Sequence, residues 1–72
     1  MAKDIKHAFG KRVRALRKSR KWSQEKMAEA SRMHWTYIGQ VERGERNLTL
    51  QSIQAIAKAF NMKISELFRG VD

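Results

Sequence analysis

Cysteine and proline are both absent from this 72-residue sequence, and glycine occurs only four times. Without cysteine there is no disulfide and no thiolate site. The two histidines, His7 and His34, lie far apart in sequence, so neither a metal nor a cofactor is expected. With no proline, and with β-branched residues never gathered into a period-two run, helices dominate. Acidic residues are scarce: seven Asp+Glu stand against 16 Lys+Arg, a net charge of +9. That density attracts polyanions, with nucleic acid ahead of an anionic membrane surface, although a merely soluble surface also accounts for it. No run approaches the roughly 20 apolar residues that span a bilayer. Phe9 to Leu16 is broken by Lys11, Arg12 and Arg14, so no signal-peptide core forms and a cytoplasmic location is expected. There is no paired-carboxylate cleft, no nucleophile beside a histidine and no phosphate loop, which argues against an enzyme. One domain over residues 1–72 fits the length. Such a domain buries only about 60% of its unfolded surface, so its core is thin.

What is present is helical spacing. Ile5, Phe9, Val13 and Leu16 share one face of a helix predicted over 4–20, with Asp4 at its positive end. Lys6, Lys11, Arg12, Arg14, Lys18 and Arg20 form a wet, basic back. Ser23 caps a second helix over 24–30, with Glu25 in its first turn and Trp22 and Met27 placed as a hydrophobic staple. A third helix over 35–42 turns Ile38 and Val41 inward and closes at Gly44. Thr49 caps a fourth over 50–60 with the stripe Leu50, Ile53, Ile56, Ala57 and Phe60, ended by Asn61, which tolerates left-handed backbone. A fifth, over 64–69, offers Ile64, Leu67 and Phe68. The fold class is all-α, with no strands, linkers or repeats.

Helices two and three are too short to lie side by side as an ordinary hairpin. Two such helices cross steeply, which lets the second enter a major groove while the first lies over the phosphates. The residues of this region are Trp22-Ser23-Gln24-Glu25-Lys26-Met27-Ala28, then Thr36-Tyr37-Ile38, then Val41-Glu42-Arg43-Gly44, followed by Leu50, Ile53, Ile56 and Ala57. In combination they resemble the helix-turn-helix of phage lambda repressor and Cro and the wider Xre-like regulators, from about Phe9 to Phe68. Thr36-Tyr37-Ile38 followed by Glu42-Arg43 and Arg46-Asn47-Leu48-Thr49 is most similar to the controller proteins of restriction–modification systems. The resemblance implies a compact, five-helix, lambda-repressor-like domain that binds double-stranded DNA sequence-specifically and regulates transcription.

It also implies roles for single residues. Gln24 holds a phosphate and braces the reading helix, or is a solvated glutamine. Thr36 and Tyr37 fall where base edges or nearby phosphates are touched, Tyr37 alternatively being a half-buried ring. Gln40 either pairs with adenine or is simply wet, and Gly39 lacks a side chain where DNA comes close. Arg43, Arg46 and the backbone around Asn47 meet phosphate or flanking bases, unless the arginines are only solvated charges. Arg17 and Glu42 form a partly buried structural salt bridge.

Three positions depart from the family pattern. Arg32 stands where the turn often holds glycine: either the backbone differs there, or Arg32 carries modest strain beside a phosphate. Leu48 stands where proline is frequent. Trp35 is an aromatic at a usually polar position, and packing on a thymine methyl or sugar, folding onto Met33 and touching a protein partner all stay open. Ile64, Leu67, Phe68 and Val71 are more apolar surface than a small monomer readily buries. Either all four close the core over helix one, or part of them joins the exposed side of helix four in a two-fold dimer. Such a dimer would read a pseudo-palindrome with reading helices roughly 34 Å apart. Occupancy of that operator would then block or recruit RNA polymerase. The rival is an antitoxin-like protein-interaction module that keeps the fold without specific DNA binding; nonspecific RNA or membrane association ranks lower.

Overall fold

The computed structural model describes residues 4–71, so the ends of the 1–72 span lie outside the described residues. Among them are five helices and no strand: α1 (Ile5–Ser19), α2 (Gln24–Ser31), α3 (Trp35–Glu42), α4 (Leu50–Ala59) and α5 (Ile64–Leu67). The limits are set by local chemistry. Asp4, Ser23 and Thr49 sit just before α1, α2 and α4, and each side chain accepts a bond from a free backbone N–H two or three residues on. Asp4 and Arg20 are therefore caps rather than helical residues, Ser31 extends α2, and Phe60 caps α4. The fifth helix is shorter than the spacing predicts, stopping at Leu67 with Phe68 as its cap.

Left-handed residues stop α1, α2 and α4: Lys21 (φ 59°), Arg32 (φ 59°) and Asn61 (φ 56°). Gly44 does the same after α3, at φ 76°. Arg32 has the left-handed backbone of the glycine it replaces, so the strain expected there is present. A side chain occupies backbone that glycine adopts freely, at a cost of about 1–2 kcal/mol.

Phe9, Val13, Met27, Ala28, Ile38, Val41, Ile56, Ala57, Phe60, Leu67 and Val71 form the core. Trp22 stacks on Phe60 at 5.6 Å, and Arg20 covers both rings. Helix α1 packs on α3, α2 on both α3 and α4, and α4 on α5. The reading-helix candidate is thus held from two sides.

Four sequence expectations change. Leu50, placed in the buried stripe, is 81% exposed, and Ile5 is exposed as well, because each lies in the first turn of its helix beyond the core. Leu67 and Val71, expected at a dimer interface, are buried in the chain's own core and unavailable to a partner. Phe68 is half-buried and stacks on Phe9 at 5.0 Å, leaving Ile64 as the exposed member of that set. Arg12 does not belong to a wet back. Its guanidinium donates to the Leu67 carbonyl (3.1 Å) and the Glu66 carbonyl (2.8 Å), closing the C-terminal end of α5 against α1.

Candidate nucleic-acid interface

Helix α3 is started by a histidine. Nδ1 of His34 accepts from the Thr36 N–H at 3.2 Å and lies 2.7 Å from Thr36 Oγ1. Two of the three residues α3 buries, Ile38 and Val41, are those the spacing turned inward. Trp35 and Thr36 are exposed, Trp35 at 51%, and Tyr37 and Gln40 are half-buried. The Trp35 ring stacks on His34 at 5.9 Å, an intramolecular neighbour that none of its three open readings named. Tyr37 lies under the guanidinium of Arg46, 4.8 Å from the ring centroid, so these two sequence candidates form one unit.

Gly39 corrects an expectation. It is buried, and the space a side chain would fill is taken by the protein itself. A Cβ there would lie 3.2 Å from Arg43 Nη1 and 3.6 Å from Gln24 Oε1. The bare backbone of α3 at Gly39 is a seat on which Arg43 and Gln24 converge. Two residues read from sequence as independent phosphate ligands therefore stand side by side.

Beneath this seat runs a buried polar brace. Arg17 meets Glu42 through two parallel bonds, Nε to Oε2 at 2.6 Å and Nη2 to Oε1 at 3.1 Å. The side chains are only 11% and 4% exposed. The third arm of Arg17 donates to the Trp22 carbonyl at 2.8 Å, and the Gln24 amide donates to Glu42 Oε1 at 3.3 Å. One carboxylate thus ties α1, the start of α2 and α3 together. A planar guanidinium with several donors suits that task, and every buried polar side-chain atom among the described residues has a partner. Helix α1 comes close enough because Gly10 has no side chain: a Cβ there would overlap the carbonyl oxygens of Val41 and Glu42.

Behind α3 the chain turns sharply. Gly44 donates to the Val41 carbonyl (3.0 Å) and Glu45 to the Gln40 carbonyl (2.9 Å). This returns Glu45 to Arg43, where Nε and Nη2 of the arginine donate to the carboxylate at 2.9 and 3.3 Å. The hydrogen bond from Arg43, aided by its charge, holds the Glu45 carboxyl below its ordinary pKa, and the Arg43 pKa is raised by the same bond. Arg32 and Asn47 are exposed, one in the turn before α3 and the other in the loop after it. His34 and Glu45 are the residues that sequence reasoning missed. The Ser-like position of His34 before α3 was the available signal for the first, and the Arg-Gly-Glu spacing for the second.

Elsewhere, Leu50, Gln51, Ile53, Gln54, Ile64 and Phe68 line an open apolar groove between α4 and α5. No helix among the described residues is long and apolar enough to cross a membrane.

Comparison with known proteins gives a consistent picture. A family model described as helix-turn-helix (HTH_3) matches residues 13–67. The control protein C.SmaI of Serratia marcescens is 47% identical over 64 residues, covering 89% of this chain and 76% of that protein. The control protein C.BamHI of Bacillus amyloliquefaciens is 41% identical over 68 residues, 93% of this chain and 84% of that protein. The crystal structure of the restriction-modification controller protein C.AhdI from Aeromonas hydrophila superposes with a TM-score of 0.84 at 41% identity, covering 88% of this chain and 96% of that one.

Proposed function

The chain belongs to the helix-turn-helix family of Xre/Cro-like regulators, and from that membership we propose a sequence-specific regulator that reads double-stranded DNA as a homodimer on a pseudo-palindromic operator. It is a transcriptional regulator and not an enzyme. The observation that carries the reading is the division of α3 into two sides. Ile38, Gly39 and Val41 are packed inward, whereas Trp35 and Thr36 are exposed and Tyr37 and Gln40 half-buried; we assign these four to base edges. Gln24 and Arg43, gathered over Gly39, and Arg46 with the Asn47 backbone take the phosphates; Arg32 lies in the turn beside them.

The dimer face is Leu50, Ile53, Ile64 and the free edge of Phe68, the part of the sequence patch that stays open together with the exposed side of α4, with Leu67 and Val71 removed from it by burial. Two copies joined there present two reading helices to successive turns of one duplex. Occupancy then blocks or recruits RNA polymerase, with protein concentration as the controlling variable.

Selection of bound sites from random duplex DNA tests the whole reading at once. The expected outcome is an enriched inverted repeat. Thr36→Ala or Gln40→Ala should relax preference at particular base pairs by about 1–3 kcal/mol. Random oligonucleotides competing as well as the enriched site would overturn sequence-specific binding, and a strict monomer in sedimentation, with and without DNA, would overturn the dimer.

A further inference from the structure

Two of the donors that Arg43 offers to DNA are already in use. Its Nε and Nη2 form one of the two edges with which a guanidinium grips a phosphate bidentately, and both donate to Glu45. This carboxylate is not a loose surface charge. The Glu45 N–H is tied to the Gln40 carbonyl, and the preceding turn requires Gly44 at φ 76°, where a Cβ would come within 2.8 Å of His7. On the other side, Arg43 Nη1 rests over Gly39. The guanidinium is therefore clamped between a glycine seat and a carboxylate, with both partners about half exposed and accessible to DNA.

We propose that Glu45 is an intramolecular stand-in for the DNA phosphate, which occupies that bidentate edge of Arg43 in the free protein and must be displaced when the duplex binds. The inference rests on the assignment of Arg43 to DNA made above. Exchange of one anion for another makes the contact nearly neutral in charge, so Glu45 lowers affinity for every duplex alike. It sets the protein concentration at which an operator fills.

The test is a cycle of wild type, Glu45→Gln, Arg43→Ala and the double variant, with fluorescence anisotropy on an enriched site and on scrambled duplex across a salt series. Glu45→Gln is expected to tighten both duplexes by about three- to fivefold, the scale of an exposed pair. It should steepen the salt dependence by up to about one counterion. In the Arg43→Ala background the same change is expected to leave affinity unaltered. Equal tightening in both backgrounds would identify general repulsion and overturn the proposal. Weaker binding by Glu45→Gln would make Glu45 a support for Arg43 and overturn it too. If Arg43→Ala binds as wild type does, the assignment of Arg43 itself fails. If Arg43→Ala weakens binding while Glu45→Gln changes nothing, only the role of Glu45 falls.

Discussion

Glu42 and Arg43 are neighbours in the chain, yet each belongs to a different arginine–glutamate pair. Glu42 joins Arg17 across 25 positions with both side chains nearly sealed from water. Arg43 joins Glu45 two positions on, with both groups at the surface. The geometry is similar, a two-bonded fork in each case, but the surroundings reverse the consequence. A buried carboxylate stripped of its partner cannot recover the loss from solvent, so the first pair holds helices in place. At the surface, water competes for the same donors, so the second pair is exchangeable. A single peptide bond separates the two pairs.

The contrast can be broken from the buried side first. Glu42→Ala leaves Arg17 uncompensated and should lower folding stability by about 3–5 kcal/mol in denaturant melts, with DNA binding lost as a result. A melt matching wild type would dissolve the distinction. Gly10→Ala attacks the same seam without touching a charge. Its methyl group meets backbone carbonyls that cannot rotate away, so a loss of about 1–3 kcal/mol is expected.

On the exposed side, Arg43→Ala should leave the thermal transition where it is and weaken enriched and scrambled duplexes by the same factor. Acid gives the smallest effect. Because Arg43 lowers the Glu45 pKa in the folded protein, whatever the pair contributes is present above the carboxyl's ordinary value and fades as pH falls through the lowered one. The Arg43 side-chain NH resonance should therefore stay constant through neutral pH and move only in acid.

Much of this was legible in one dimension. Ser23, Thr49, Gly44 and Asn61 mark helix ends through bonds or dihedrals that depend on a few adjacent residues, and α3 spans the predicted residues. The Arg17–Glu42 bridge came through family resemblance rather than spacing, since nothing local links positions 25 apart. What stayed hidden depends on how helices meet. Spacing gave Leu50 a place on the inward face of α4, but not that its turn overhangs the core. It could not show that α5 lies against Arg12, or that Gln24 and Arg43 come together over Gly39. Arg12 and Arg17 resemble any other cation of α1 until the carbonyls and the carboxylate they serve are located.

Those two arginines lie on the same rod. Arg17 fastens α3 to it, and five residues earlier Arg12 fastens the C-terminal end of α5. A twofold assembly of the proposed kind, built through α4 and α5, would inherit a fixed distance and angle between its two α3 helices, because the same rod fastens both α3 and α5. Such a ruler tolerates little error: one base pair added between half-sites turns the second by about a tenth of a helical revolution. In such an assembly discrimination by spacer length would accompany discrimination by base identity, with no further contact needed.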